Sequence, residues 1–263
     1  MVKIYNDYDE EPEDFFHPLP APLSCDFYDL EMNSYREDSL FWNSVLPHRG
    51  PILELGCGSG RISRQISSPT RPVVGIDLSM DMLYLAKLRQ DPFCSYLCMD
   101  MGQLAFNSRF ESILIPYNTL NLLTSRTQIS SCLDDCRSLL SRGNTLAVQL
   151  YIPSVDFCQK KKKTFQFQMF NRPGGGRIIK EILKLYQPDE QLIEIEERFR
   201  IRPMSPDTPN RDYNTIYQIQ GLAGEQWLSM FKESGFTLQK SFGDFRASPF
   251  IPSESTSFIA VFN

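Results

Sequence analysis

Several features typical of membrane, secreted or nucleic-acid-binding proteins are missing from this chain of 263 residues. No apolar stretch approaches the roughly 20 residues that a bilayer-spanning helix needs. The acidic N-terminus also lacks the basic, apolar and small-residue regions of a signal peptide. Because the net charge is −5, no overall positive field attracts nucleic acid. We therefore expect a cytoplasmic protein with no membrane or nucleic-acid partner.

The cysteines do not form a recognisable framework. Their number, seven, is odd, which argues against a set of disulfides in a chain of this length. The pairs Cys94/Cys98 and Cys132/Cys136 have C-x3-C spacing, whereas structural zinc sites typically use the tighter C-x2-C spacing. We interpret these thiols as small buried side chains and predict no metal site.

Histidine is scarce as well, with only two in the chain. His17 lies in an acidic stretch, and His48 comes just before the first predicted core strand. Ligands of open α/β sheets bind at the carboxyl ends of strands, and neither histidine is placed there. We therefore do not expect a histidine general base.

What the chain does contain is an apolar run that ends in a glycine-rich turn, residues 52–61 (ILELGCGSGR). This pattern predicts a buried strand, a tight turn and a helix that begins near Ser59. The three glycines leave no Cβ between the backbone and a ligand; they are Gly56, Gly58 and Gly60. The next apolar run ends at Asp77, and a carboxylate about 20 residues after such a turn can bind the hydroxyls of a ribose.

The spacing of the turn separates three classes of nucleotide site. Dinucleotide sites favour G-x-G-x-x-G around a pyrophosphate, and a P-loop carries Lys-Ser/Thr after its last glycine. This turn has neither feature, and Glu54 before it would repel a phosphate but suits a positively charged ligand. The pattern E-x-G-x-G-x-G resembles the cofactor loop of class I S-adenosylmethionine-dependent methyltransferases. A glycine turn without any ligand is the alternative.

This resemblance implies an α/β fold with a Rossmann-like seven-stranded sheet, an antiparallel last strand, and S-adenosylmethionine as cofactor. It covers about residues 25–263 and is strongest over residues 51–123. It implies cofactor contacts from the loop and from the ends of the first four strands: Glu54, Gly56, Cys57, Gly58, Arg61, Asp77, Leu78, Met82, Asp100, Met101 and Pro116. The loop, with Arg61 at the carboxylate, would hold the methionine part, and Asp77 would hold the ribose.

The adenine ring would lie farther along the sheet. Three successive predicted strands end in a carboxylate: Glu54, Asp77 and Asp100. In the family, an acid at the Asp100 position often binds the adenine amino group, and the next backbone N–H, here that of Met101, binds a ring nitrogen. Ser79 is predicted to cap a helix whose Met82 would lie against the ring, although core packing is the alternative for Met82.

An N-terminal helix is predicted from a capping box, Ser34 and Glu37. In small-molecule methyltransferases an aromatic-rich helix of this kind commonly covers the cofactor. The resemblance therefore makes Tyr28 and Tyr35 candidate lid residues. Packing of both rings into the core is the alternative.

The fourth predicted strand, residues 110–115, runs into Pro116-Tyr117-Asn118-Thr119. This sequence is similar to a bacterial group of small-molecule methyltransferases. It departs from D/N-P-P-Y, which marks many enzymes that methylate exocyclic amines of bases or amide nitrogens. We predict Tyr117, Asn118 and Asp244 as the catalytic residues, with Tyr117 and Asp244 as candidate bases.

The chain is predicted to divide into four parts. Residues 1–24 form an acidic, proline-bearing leader, extended or partly disordered, with Phe15 and Phe16 able to tuck into a groove. Residues 25–150 form the cofactor-binding core with its lid helix, and residues 223–263 complete the core sheet. Between them, alternating apolar and polar residues predict an antiparallel β-sheet insertion at 151–222, either as a roof over the acceptor or as a homodimer surface.

We therefore predict an S-adenosylmethionine-dependent methyltransferase that acts on a small molecule, with a neutral amine as the candidate acceptor because it needs no strong base. One alternative is a scaffold or regulatory partner that binds the cofactor without turnover. The other is a protein or RNA methyltransferase, against which the acidic net charge and the missing D/N-P-P-Y pattern both argue.

Overall fold

The computed structural model describes residues 3–5, 16–32, 35–172, 174–205, 207–252 and 254–263, with the backbone alone for residues 3–5 and 142. The helices in these ranges are α1 Ala21–Met32, α2 Glu37–Val45, α3 Ser63–Ile66, α4 Met80–Leu88, α5 Arg126–Leu139, α6 Val155–Gln159 and α7 Gly224–Glu233. The strands are β1 Lys3–Tyr5, β2 His17–Pro18, β3 Ile52–Leu55, β4 Val73–Asp77, β5 Cys94–Cys98, β6 Phe110–Ile115, β7 Leu140–Tyr151, β8 Thr164–Asn171, β9 Arg177–Gln187, β10 Leu192–Arg202, β11 Arg211–Gln220, β12 Leu238–Phe242 and β13 Ser257–Phe262.

The described residues divide into two compact units. The core unit consists of those within Asn33–Ser154 and Gln220–Asn263. The insertion unit consists of those within Met1–Met32 and Val155–Ile219. None of the helices in the described part of the chain is long and apolar enough to cross a bilayer.

The core unit contains a seven-stranded sheet in the order β12-β13-β7-β6-β3-β4-β5. The strands β7, β6, β3, β4 and β5 are parallel, and β13 runs antiparallel to both of its neighbours. The predicted Rossmann-like sheet with an antiparallel last strand is therefore confirmed. All four residues of β3 are buried, as expected for a parallel strand covered on both faces.

Helices cover both faces of this sheet with large apolar side chains. On one face Trp227 and Phe231 of α7 join the apolar side chains of α5 and β6 in a buried cluster. On the other face, Phe41 and Trp42 of α2 pack with Ile52 and Ile66. The helix that carries Phe41 was predicted from the sequence, but it begins at Glu37 with Arg36 at the N-cap position, and Ser34 lies outside the described residues.

Two further helix starts were predicted near the glycine turn. Ser79 caps α4 as predicted, since its side chain accepts a hydrogen bond of 3.3 Å from the Met82 N–H. The helix predicted to begin near Ser59 begins instead at Ser63. The reason is the backbone of the loop, because Gly60 has φ of +70°, a left-handed conformation that a right-handed helix cannot contain.

The insertion unit contains a six-stranded sheet in the order β1-β8-β9-β10-β11-β2. Its long central strands β9 and β10 are antiparallel, with Lys180 opposite Phe199. The antiparallel sheet that the sequence predicts after the fifth core strand is therefore present. Helix α1 packs on this sheet, where the Phe27 ring stacks on Phe199 at 4.8 Å between ring centroids.

The N-terminal segment departs from the predicted domain boundaries. It supplies strands β1 and β2 and helix α1 to the insertion unit, so the predicted boundary between residues 24 and 25 falls inside α1. The physical reason is pairing with distant residues: the Leu19 N–H donates to the Asn214 carbonyl at 2.8 Å. The Phe16 ring also lies 4.9 Å from the Arg198 guanidinium. Phe15, predicted to tuck in with Phe16, lies outside the described residues.

The cysteine pairs occupy the predicted elements. Cys94 and Cys98 lie on β5, and Cys132 and Cys136 lie buried on α5, all as free thiols. A hydrogen bond with Cys132, together with burial, raises the pKa of the Cys136 thiol, so it stays protonated. Across the described ranges no group of three or more His, Cys, Asp or Glu side chains is arranged to hold a metal ion.

Candidate cofactor and acceptor site

The glycine loop after β3 lies directly against the turn after β6. Gly56 has φ of +70°, and a Cβ added there would lie only 2.2 Å from Cγ2 of Thr119. Any larger residue would therefore push these two segments apart. Because β3 and β6 are parallel neighbours, the loop and the turn meet at the carboxyl edge of the sheet, where ligands of open α/β sheets bind.

Asp77 is fixed at the end of β4 by two backbone donors. The Gly58 N–H donates to Oδ2 at 2.8 Å, and the Ser79 N–H donates to Oδ1 at 2.9 Å. Each carboxylate oxygen has two lone pairs, so both oxygens can accept a further hydrogen bond. The loop thus presents an oriented carboxylate in the place predicted for a ribose-binding acid.

A cleft of about 90 Å³ opens at this edge of the sheet. Its lining combines the loop, Asp77 and apolar side chains: Gly56, Ile76, Asp77, Leu78, Met99, Met101, Thr119 and Leu122. Of these, Leu78 is 66% exposed and Leu122 is 52% exposed. Large apolar side chains left open beside a carboxylate suit a ligand with one flat apolar part and one hydroxylated part.

The turn after β6 carries strained backbone. Tyr117 has φ of +52° and Asn118 has φ of +59°, a conformation that is uncommon for residues other than glycine and concentrated at functional sites. The Tyr117 N–H donates to Oε1 of Gln149 at 2.9 Å, and the Thr119 hydroxyl donates to the Pro116 carbonyl at 2.7 Å. Oδ1 of Asn118 is buried and accepts no hydrogen bond within the described part of the protein.

Residues 52–143 match a protein-family model described as a methyltransferase domain. A protein of Bacillus subtilis (strain 168) named as a methyltransferase, YqeM, is 34% identical over 87 residues, which is 32% of this chain and 35% of YqeM. The matched segment thus spans about a third of that relative.

These matches support a methyltransferase domain of the class I S-adenosylmethionine-dependent kind over residues 52–143.

Solved structures of methyltransferases share the fold over nearly the whole chain. CalS10, an amino pentose methyltransferase from Micromonospora echinaspora, has a TM-score of 0.72 and 15% identity and covers 98% of each chain. KedS8, a sugar N-methyltransferase from Streptoalloteichus sp ATCC 53650, has a TM-score of 0.71 and 13% identity, with 98% of this chain and 96% of KedS8 covered. These likenesses show the fold, and together with the matched domain they support the predicted family and S-adenosylmethionine as cofactor.

The cleft brings together part of the predicted set. Gly56, Asp77, Leu78 and Met101 line it as predicted, and Pro116 lies buried in the adjoining turn. Sequence reasoning missed four lining residues: Ile76, Met99, Thr119 and Leu122. Their only sequence signal is position, since each lies within a few residues of a predicted strand end.

Glu54 lies beneath the loop rather than in the cleft. Its side chain is 1% exposed and accepts a hydrogen bond from the Ser63 hydroxyl. Burial raises the pKa of Glu54 to about 8, so the carboxyl is mostly protonated at pH 7. Its predicted place against the positive end of the cofactor stays a prediction.

Arg61 has a protein partner. Its guanidinium makes two hydrogen bonds to the Asp38 carboxylate, at 2.5 and 2.9 Å, and both side chains are buried. Its Nη1 also donates to the Tyr35 carbonyl at 3.4 Å. Arg61 therefore ties α2 to the glycine loop, and its contact with the cofactor carboxylate stays a prediction.

The two candidate lid tyrosines lie in different units. Tyr35 is next to the glycine loop, with its ring centroid 6.0 Å from the Arg61 guanidinium carbon and 6.3 Å from the Phe245 ring. Tyr28 lies on α1 in the insertion unit. Contact of either ring with the cofactor stays a prediction.

Three further predicted cofactor residues do not line the cleft either. The Cys57 thiol is buried against Leu83 and Tyr96, and burial raises its pKa. Met82 is half-buried on α4. The Asp100 carboxylate accepts a hydrogen bond of 2.8 Å from the Gly102 N–H.

Asp244 shapes its own loop between β12 and β13. Its carboxylate accepts hydrogen bonds from the Ser248 N–H at 3.0 Å, the Ser248 hydroxyl at 2.8 Å and the Arg246 N–H at 2.9 Å. The hydrogen bonds from Ser248 in particular lower its pKa. Because a lowered pKa makes a weaker base, these contacts do not favour Asp244 as a general base, and its catalytic role stays a prediction.

Proposed function

We propose that this chain transfers the methyl group of S-adenosylmethionine to the nitrogen of a small-molecule amine. The observation that carries the proposal is the packing of Thr119 against Gly56. This contact joins the loop that positions Asp77 to the turn that holds the buried oxygen of Asn118. The loop that we propose for the cofactor and the turn that we propose for the acceptor are therefore adjacent at one edge of the core sheet.

The residues at the cleft fit the cofactor. The Asp77 carboxylate, held by the Gly58 and Ser79 N–H groups, can accept hydrogen bonds from the two ribose hydroxyls. The apolar side chains of Leu78 and Met101 offer a surface for the adenine ring, and a thioether packs well against an aromatic face. Gly56 lines the cleft, so its backbone can lie against the methionine part.

When bound, the cofactor supplies a methyl group on a sulfonium, and the electron pair of the broken carbon–sulfur bond stays on sulfur. The protein then has to orient the attacking atom. We propose that Oδ1 of Asn118 accepts a hydrogen bond from an N–H of the acceptor. An amide oxygen accepts but does not donate, so this atom favours an attacking group that still carries hydrogen and directs the lone pair of that group elsewhere.

Two further observations support an amine as the methyl acceptor. A neutral amine needs no general base to attack, and Asp244, the candidate carboxylate base, has a lowered pKa. CalS10 and KedS8 are named as methyltransferases of an amino pentose and of a sugar nitrogen. Both share the fold of this chain, which makes amino sugars a sensible first class of acceptor to test.

Calorimetric titration of the full chain with S-adenosylmethionine, and separately with NAD, tests the cofactor. We expect micromolar affinity for S-adenosylmethionine alone. Methyl-tritiated S-adenosylmethionine is then incubated with D-glucosamine, other amino sugars and ethanolamine, each beside its hydroxyl counterpart, such as D-glucose. We expect label only on amines. Tritium label on the hydroxyl compounds alone would contradict the proposal that the acceptor is an amine. The absence of binding heat in the titration with S-adenosylmethionine would contradict the proposed methyltransferase function.

A further inference from the structure

We propose that Gln149 is a positioning residue for the acceptor side of this site. Its side-chain amide holds the turn after β6 in the left-handed conformation that places Oδ1 of Asn118. The inference rests on the proposed function for the meaning of that oxygen, but the hydrogen bond and the turn conformation can be tested without any acceptor.

The turn needs an external partner to keep its shape. Two consecutive residues, Tyr117 and Asn118, have φ of +52° and +59°. A side chain with a Cβ is disfavoured there, so such a conformation persists only where the surroundings impose it. A flexible loop with this sequence would relax to right-handed or extended backbone.

Gln149 lies where it can hold Tyr117 and Asn118 in this left-handed conformation. Strand β7 runs parallel to β6, with Val148 opposite Ile115, so the next residue of β7 lies level with the start of the turn. Oε1 of Gln149 accepts the Tyr117 N–H at 2.9 Å. This bond fixes the peptide between Pro116 and Tyr117, the first peptide of the turn.

The residue type also needs an explanation. Gln149 is 9% exposed and lies between the fully buried residues Val148 and Leu150. A glutamine in the middle of an apolar strand is costly unless its amide is hydrogen-bonded. Its bond to the turn provides that compensation.

A second amide holds the far end of the same turn. Asn121 is fully buried, and its Nδ2 donates to the carbonyls of Tyr151 at 3.0 Å and Gln220 at 2.8 Å. Its Oδ1 accepts the Tyr151 N–H at 3.1 Å. Asn121 thus anchors the turn to β7, whereas Gln149 contacts the strained peptide itself.

The test compares Gln149→Leu, which removes the acceptor, with Gln149→Glu, which keeps an oxygen in its place. Gln239→Leu is the matched control, because Gln239 is an exposed glutamine on β12 that bonds to Thr237 and Asn263. Crystal structures of the variants give φ at residues 117 and 118. We expect both to leave the left-handed region in Gln149→Leu and to stay there in Gln149→Glu.

The relative affinity for two cofactor analogues distinguishes a positioning role of Gln149 from a purely structural one, because a purely structural role would not change it. Sinefungin carries an amine where S-adenosylhomocysteine has only sulfur, so its amine can donate to Oδ1 of Asn118. We expect Gln149→Leu to lower the preference for sinefungin about 10-fold with S-adenosylhomocysteine affinity changed less than about 2-fold. Gln149→Glu should restore the preference, as a tenfold change corresponds to one well-made hydrogen bond.

Hydrogen exchange of the Tyr117 amide in the unaltered chain decides the point even if Gln149→Leu does not fold. Strong protection is expected, and exchange as fast as that of a solvent-exposed amide would overturn the proposal. Unchanged φ values in Gln149→Leu, with an unchanged sinefungin preference, would also overturn it. If the unaltered chain binds neither analogue, the proposed function fails, while the exchange and crystallographic results still decide the role of Gln149.

Discussion

Each of the two units buries a glutamate, but the pKa values of these two carboxyl groups are shifted in opposite directions. Glu54 in the core unit and Glu196 in the insertion unit are 1% and 3% exposed. Burial raises the pKa of Glu54 to about 8. Burial also acts to raise the pKa of Glu196, but the Arg198 guanidinium, 2.6 Å away, outweighs it and the pKa is lowered.

The difference teaches that the partner, and not burial alone, decides the charge. The partner of Glu54 is a neutral hydroxyl, that of Ser63, so its carboxyl is poised to ionise when a positive charge arrives. Glu196 is already ionised and paired, which suits a structural role. The buried glutamate under the glycine loop, Glu54, can therefore change its charge near neutral pH, whereas the buried glutamate of the insertion sheet, Glu196, stays ionised.

The largest expected effect comes from removing the partner of Glu196. In Arg198→Met a buried carboxylate loses its guanidinium, and breaking such a pair costs about 3–5 kcal/mol. Chemical denaturation at pH 7 should show this loss in the free energy of unfolding.

The matched control for that variant is Arg246→Met. The Arg246 side chain is 80% exposed and its ion pair with Glu37 is 3.9 Å long, so the change should cost less than about 1 kcal/mol. Equal losses in the two variants would show that the pair with Glu196 is not stabilising.

Glu54→Gln should change the free energy of unfolding in the opposite direction and stabilise the protein. Because the folded-state pKa of Glu54 is raised from 4.5 to about 8, its carboxyl destabilises the fold progressively as pH rises between those values. The uncharged amide avoids this, so Glu54→Gln should be more stable by on the order of 3 kcal/mol at pH 7. Melting curves from pH 4 to pH 9 measure the difference.

Cofactor binding gives a second test of the protonation state of Glu54. If the sulfonium or ammonium group of S-adenosylmethionine lies near Glu54, binding at pH 7 should release about one proton. Calorimetry in buffers of different ionisation enthalpy counts that proton. Glu54→Gln should release none, and equal release from both proteins would remove Glu54 from the site.

A third carboxylate, Asp77, is held by backbone N–H groups rather than by a guanidinium or a hydroxyl. Asp77→Ala should weaken S-adenosylmethionine binding by roughly 100-fold or more, since hydrogen bonds to a charged group contribute about 1.5–3 kcal/mol each. Asp81→Ala is the control, because Asp81 is exposed on α4 and absent from the cleft lining. Tight binding by the Asp77 variant would place the ribose elsewhere.

The smallest expected effect is at the cap of α4. Ser79→Ala removes the hydrogen bond to the Met82 N–H and should cost about 1 kcal/mol of stability. The Ser79 N–H that supports Asp77 remains, so cofactor affinity should change little. A large loss of affinity would mean that the hydroxyl itself contacts the ligand.

Local sequence pattern alone determined much of the core unit. Apolar runs that end in Glu54 and Asp77, with glycines at alternate positions between them, predict the strands and the loop because each signal lies within a few residues. The cofactor class followed from the resemblance of this loop to a known family. The period-two pattern after the fifth strand predicted the antiparallel sheet for the same reason. These features need only the chain's own stereochemistry and the separation of apolar from polar side chains.

Only the tertiary structure decided which side chains meet. Arg61 pairs with Asp38 and Tyr117 pairs with Gln149 across 23 and 32 residues of sequence, and no periodicity records such pairs. The structure likewise placed α1 in the insertion unit and gave Asp244 partners in its own loop. Partners and pKa values depend on distance and burial in three dimensions, and those quantities exist only once the chain has folded.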